Sequence, residues 1–152
     1  MNFQTPLNIA MYMVGITYAP KGGMILEPTP GDGNIVRAIK SYGLNPIVPD
    51  DDFWKMQHIQ KYDCIVMNPP FSPMKEGYKF LYRCMELSNE IVALMPWLVI
   101  INGEKRTKDI IEYGLQSITH LPRSIFKGSR VQCCILHMVK NWNEEIIFIN
   151  YR

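Results

Sequence analysis

The run Cys64-Ile65-Val66-Met67 has no polar alternation, and it stops at Asn68-Pro69-Pro70-Phe71. Consecutive apolar residues bury both faces of an extended chain, as in a central strand of a parallel sheet. The two prolines that follow remove two backbone donors and fix two φ angles, so the carbonyls beside them are held in place. The chain must therefore build a layered core in which a buried strand ends in a rigid polar-aromatic turn. Such a turn can grip a planar amide or amino group and stack a ring beside it.

The flanking sequence extends this pattern. Met24-Ile25-Leu26 predicts a second buried strand, followed by a Gly/Pro loop. Residues 33–42 predict a helix closed at Gly43. Pro46-Ile47-Val48 predicts a short strand, and residues 54–61 read equally as helix or irregular crossing. Helical spacing covers 76–88, a buried strand 90–95, and a second helix 104–114, closed by Gly114. Residues 117–121 and 131–139 predict strands, and 145–150 a final edge strand. Strands alternating with helices predict an α/β fold, with a doubly wound, mostly parallel sheet. Less helix separates the last strands, which permits an antiparallel C-terminal edge hairpin. A chain of 152 residues is expected to form a single domain over 1–152.

Composition excludes several classes. Hydrophobic residues make up 47% of the chain, which argues against disorder. No apolar run reaches the roughly 18–20 residues of a membrane span, and residues 91–101 are interrupted by Pro96. The start Met-Asn-Phe-Gln-Thr-Pro lacks a basic region followed by an apolar one, so no signal peptide is predicted and the expected compartment is the cytoplasm. Cys64, Cys84, Cys133 and Cys134 form no Cys-x-x-Cys pair, and His58, His120 and His137 lack metal-ligand spacing. No metal is expected, and the thiols are expected to be buried and reduced. From Lys105 to Lys140, seven Lys/Arg face two acids, while the whole chain is only +2. That basic segment suits a polyanion or an ordinary solvated surface.

The loop Leu26-Glu27-Pro28-Thr29-Pro30-Gly31-Asp32-Gly33-Asn34 joins a predicted strand to a predicted helix, where open α/β sheets bind ligands. Gly31 and Gly33 permit close backbone approach, and the helix start offers N–H groups. No Gly-Lys-Ser/Thr follows, so this is not a phosphate loop of that type. Glu27 and Asp32 would repel a pyrophosphate and suit a ligand with a cationic centre and hydroxyls.

Glu-Pro-x-x-Gly-Asp-Gly after one strand and Asn-Pro-Pro-Phe after a later one resemble the S-adenosylmethionine-dependent DNA N6-adenine methyltransferases. Thr5-Pro6 resembles their N-terminal element, and the order of the three pieces is that of the gamma class. The resemblance implies a Rossmann-like class I methyltransferase fold with S-adenosylmethionine as cofactor. It implies that Glu27, Pro28, Gly31 and Gly33 bind the methionine end of the cofactor, with Thr5 and Pro6 closing over it. Asp50 or Asp51 would take the ribose, and Asp52-Phe53 the adenine. Asn68, Pro69, Pro70 and Phe71 would hold the target amine, with Asn68 also facing the cofactor. Only residues 40–62 are available for the end of the first helix, a second strand, the family's third strand and their connections, so that third strand is expected to be short or absent. Trp54 and Trp97 are expected to pack rather than stack on a base.

The family's usual target-recognition region has no counterpart here, since the predicted fold consumes nearly all of the chain. Lys75, Lys105, Arg106, Arg123, Lys127 and Arg130 are the expected phosphate contacts. The expected partner is nucleic acid, DNA before RNA, with a homodimer or partner subunit supplying target choice. Enzymes that methylate RNA bases or protein glutamine share the Asn-Pro-Pro-aromatic turn and stay open as alternatives, as does a non-catalytic binding module. By analogy a compact enzyme of this kind suits a phage or mobile element, acting in the host cytoplasm.

Overall fold

The computed structural model describes residues 4–152. The chain runs α1 (Leu7–Gly15), β1 (Met24–Leu26), α2 (Asn34–Ser41), β2 (Asn45–Ile47), β3 (Cys64–Met67), α3 (Met74–Leu87), β4 (Glu90–Pro96), α4 (Leu98–Ile101), α5 (Glu104–Tyr113), β5 (Leu115–His120), β6 (Cys133–Val139) and β7 (Ile147–Asn150). Among the described residues seven strands form one sheet in the order β2-β1-β3-β4-β6-β5-β7. The β1–β2, β1–β3, β3–β4 and β5–β7 pairs are parallel, and β6 runs antiparallel between β4 and β5.

Burial of β3 is complete on both faces. Ile65 and Met67 join Leu26, Ile91, Ala93 and Met95 in a core layer shared with Tyr78, Leu81 and Cys84 of α3 and Ile110 of α5. Cys64 and Val66 join Ile25, Val92 and Leu94 in the opposite layer, against Ile9, Ala10 and Met13 of α1 and Ile35, Ala38 and Ile39 of α2. The missing alternation in the sequence reflects this two-sided packing.

Helix α2 ends as its glycine predicts. Gly43 has φ +72°, Leu44 N–H donates to Ile39 O at 3.1 Å, and Gly43 N–H donates to Lys40 O at 3.0 Å. Helix α1 was not assigned from the sequence. It begins after Pro6, whose carbonyl accepts from Ala10 N–H at 2.9 Å, and it buries Ile9, Ala10, Met13 and Val14. That spacing is helical, but exposed apolar residues such as Leu7 blur it.

The compressed stretch behaves as expected. Between β2 and β3 the described residues contain no strand, only a tight 3-10 turn at Phe53–Lys55. Strand β2 is therefore the rim of the sheet. The expected antiparallel edge is present as the β5–β6 pair: β6 inserts between β4 and β5, and β7 closes the far rim in parallel with β5. The insertion carries the β5–β6 connection back across the C-terminal ends of the parallel strands.

Gly114 sits where α5 turns into β5. Its φ is +132°, and a Cβ there would lie 2.0 Å from Val139 O. Gly114→Ala is expected to destabilise the fold by roughly 2–4 kcal/mol, read as a lower urea midpoint with an unchanged slope.

Candidate active site

A cavity of about 760 Å³ opens at the C-terminal ends of β1, β3 and β4. Its walls are the β1–α2 loop, the turn after β3, the stretch beyond β2, the end of β4 and the returning β5–β6 connection. Of the residues singled out in the sequence, Thr5, Glu27, Pro28, Gly31, Asp51, Asp52, Phe53, Asn68, Pro69, Pro70 and Phe71 line it. Pro6, Gly33 and Asp50 do not. Pro6 caps α1, and Gly33, at φ +89°, is the left-handed cap of α2.

Glu27 follows directly on β1 and is fully buried. Its Oε1 accepts from Thr29 N–H at 2.8 Å and stands 3.3 Å from Thr29 Oγ1. Its Oε2 is buried and receives no hydrogen bond from any described residue. Burial raises the Glu27 pKa from 4.5 to about 8, outweighing the two bonds from Thr29 that pull it down. A buried carboxyl with an unmatched oxygen is costly alone and is relieved by a cationic partner. Beside it, Gly31 has φ +52°, and a Cβ there would come 2.4 Å from Gln4 Oε1. Gln4 Oε1 in turn accepts from Asp32 N–H at 2.9 Å.

The turn after β3 forms the facing wall. Asn68 Nδ2 donates to Thr5 Oγ1 at 3.1 Å, and Thr29 Oγ1 donates to Asn68 O at 3.3 Å. Phe71 meets Tyr78 edge to face, with ring centroids 6.0 Å apart. This seat exists because α3 carries glycine at 77: a Cβ there would lie 2.1 Å from the Phe71 ring.

Without a third strand, the next wall is aromatic. Phe53 is buried and stacks on Phe80 at 5.2 Å, with Trp54 5.0 Å from the same Phe80 ring. Asp52 caps the 3-10 turn, its Oδ1 accepting from Trp54 N–H at 3.0 Å. Trp54 does more than pack: it lines the cavity and is 47% exposed. The sequence reading also missed Gln4, Thr29, Phe80, Phe126, Ser129 and Val131 as wall residues. Thr29 was legible from its place inside the glycine loop. The last three depend on the path of the β5–β6 connection, which no local signal announces.

None of the six singled-out cations lines the cavity. Lys75 is in the first turn of α3, Lys105 and Arg106 in the first turn of α5, and Arg123, Lys127 and Arg130 in the β5–β6 connection. All leave the sheet at the cavity end. Lys105 Nζ lies 2.8 Å from Asp109, and the Arg106 guanidinium lies 4.0 Å from the Tyr78 ring centroid. With the Gln132 amide turned to match its neighbours, Arg123 donates to it at 3.0 Å. Lys75, Lys127 and Arg130 are exposed.

The four thiols are unpaired, and burial pushes those of Cys84 and Cys134 upward. His58 bonds Tyr62, His120 bonds Trp97 and His137 bonds Glu90. Among the described residues no cluster of His, Cys, Asp or Glu could hold a metal, and no helix is long and apolar enough to cross a membrane.

Comparison with known proteins bears on the fold. No family model matches the chain. It is 30% identical over 96 residues to the type II methyltransferase M.TthHB8I of Thermus thermophilus, a match covering 51% of the chain and 22% of that protein. A type I restriction-modification methyltransferase subunit of Streptococcus thermophilus superposes with a TM-score of 0.77 at 17% identity, over 97% of the chain and 47% of that protein. A protein of Listeria monocytogenes described as a class I S-adenosylmethionine-dependent methyltransferase gives 0.73 at 16% identity, over 97% and 65%. The chain has the class I methyltransferase fold. It spans about a fifth of the curated relative and about half to two thirds of these structural neighbours.

Two outcomes test the site. Gly77→Ala, which helix propensity alone would favour by about 1 kcal/mol, is expected instead to unseat Phe71 and lower thermal stability, overpacking costing roughly 1–3 kcal/mol, with a shifted Phe71 environment in NMR spectra. For Glu27, the raised native pKa means the unfolded chain ionises first as pH rises. Its stabilising contribution is present below pH 4.5 and is lost as pH climbs to about 8. Glu27→Gln should therefore flatten the stability–pH curve across that window, by at most roughly 1.4 kcal/mol per pH unit.

Proposed function

We propose that this protein is an S-adenosylmethionine-dependent methyltransferase acting on the N6 amino group of adenine in DNA. One observation carries the reading. One cavity is lined both by the buried Glu27, whose Oε2 has no hydrogen-bond partner among the described residues, and by the Asn68-Pro69-Pro70-Phe71 turn.

The residues present fit the cofactor. Glu27 Oε2 lacks the partner that the cationic methionine end would offer, and glycine at 31 makes room for the Gln4 side chain in the same wall. Asp51 suits the ribose hydroxyls, and Asp52 and Phe53, joined by Trp54, suit the adenine. Bound there, S-adenosylmethionine supplies a methyl group activated on a sulfonium.

The chain's own work is to prepare the acceptor. An aromatic amine is a weak nucleophile because its lone pair is delocalised into the ring. Asn68 Oδ1 and the Pro69 carbonyl accept its two N–H bonds. They favour a pyramidal nitrogen and stabilise the positive charge that develops on it. The rigid prolines fix that geometry, and the remaining demand is in-line positioning. No strong base is required before attack, and the methylated nitrogen afterwards releases its extra proton to solvent. Phe71 stacks on the extruded base, worth roughly 1–3 kcal/mol. Lys75, Lys127 and Arg130, exposed at the cavity end, steer the phosphate backbone, with Lys105, Arg106 and Arg123 beside them.

The test is methyl transfer from labelled cofactor to DNA, RNA and protein in parallel, with the modified base identified. N6-methyladenine in DNA is the expected product. Label in RNA or in glutamine would move the assignment to another planar NH2. Absence of cofactor binding, with and without DNA, would leave a binding module. Asn68→Ala is expected to keep cofactor binding in calorimetry while lowering transfer by roughly 100-fold or more. Affinity for DNA should fall steeply with added salt, and a flat response would count against a nucleic-acid substrate.

A further inference from the structure

Thr5 is a wall residue of the cavity, but its bonds run to protein. It is buried at 6% exposure. Its carbonyl accepts from Asn34 Nδ2 at 2.9 Å, at the start of the helix behind the glycine loop. Its hydroxyl accepts from Asn68 Nδ2 at 3.1 Å. The same short segment thus ties the cofactor side of the cavity to the turn after β3. On the other side of Asn68, its main-chain carbonyl accepts from Thr29 Oγ1 at 3.3 Å.

A side-chain amide can rotate about its last torsion, and it has a donor end and an acceptor end. An Asn that must offer Oδ1 to an amine needs that torsion held. The bond from Nδ2 to Thr5 Oγ1 commits the donor end to the protein and turns the oxygen the other way. We propose that Thr5 is a positioning residue for the Asn68 amide, acting on the acceptor side of the reaction rather than as a contact of the cofactor. The inference rests on the methyltransferase reading above.

Two readouts test it, one of them independent of turnover. In 1H–15N spectra of the protein without cofactor, the Asn68 side-chain NH2 pair is identified by its loss in Asn68→Asp. Thr5→Val is expected to shift that pair and speed its exchange with solvent, and Thr5→Ser to restore it. In transfer assays Thr5→Val is expected to lower kcat by about 10- to 100-fold. The KM for S-adenosylmethionine should stay within about threefold, with Thr5→Ser recovering most of kcat. An unmoved NH2 pair in Thr5→Val, or a raised cofactor KM with kcat intact, would overturn the proposal. Thr5→Ala gives the same comparison should Thr5→Val not fold. If the wild-type protein transfers no methyl group to any acceptor, the proposed function falls, while the NH2 spectra still decide whether Thr5 holds Asn68.

Discussion

Everything at the cavity hangs on the burial of β3. A four-residue strand covered on both faces cannot slide or tilt without opening two core layers at once. A one-residue slip would exchange Cys64 and Val66 with Ile65 and Met67 between layers built for other shapes. The position of Asn68 is thus set by the whole sheet. The prolines after it extend that rigidity past the last ladder bond, so the site begins where the core ends.

The second constraint is a polar joint between two loops. Thr29 stands between the carboxyl of Glu27 and the carbonyl of Asn68, with one proton to give and two acceptors at the same distance. Thr5 reaches Asn68 from the other side. These bonds lie in a largely apolar surrounding, where a satisfied polar group holds geometry and an unsatisfied one is expensive. Glu27 Oε2 is the group left expensive, and that cost is the driving force a cationic ligand would relieve.

Much of this was legible in the sequence because the signals were local. The runs at Met24–Leu26 and Cys64–Met67, bounded by turn residues, read as buried strands, and Gly43 and Gly114 as helix stops. The loop around Gly31 and the turn at Asn68 stood at the ends of such strands, where ligands bind. What stayed illegible was set by long-range placement. Helix α1 is short and apolar on more than one face, so its period is blurred. Phe126, Ser129 and Val131 became wall residues only because β6 inserts between β4 and β5. Trp54 was read as a packing residue, and it does pack on Phe80. The absent third strand leaves its other face open to the cavity, which local sequence could not announce.

The same absence leaves β2 as an open rim, where unpaired N–H groups invite other chains to add strands. Asn45 N–H donates inward to Gly23 O, and Ile47 O accepts inward from Glu27 N–H. Residue 46 is therefore the one in β2 that faces outward, and it is proline. An approaching strand meets no donor at the only outward position of this rim. The rim therefore carries its own guard against association through that side.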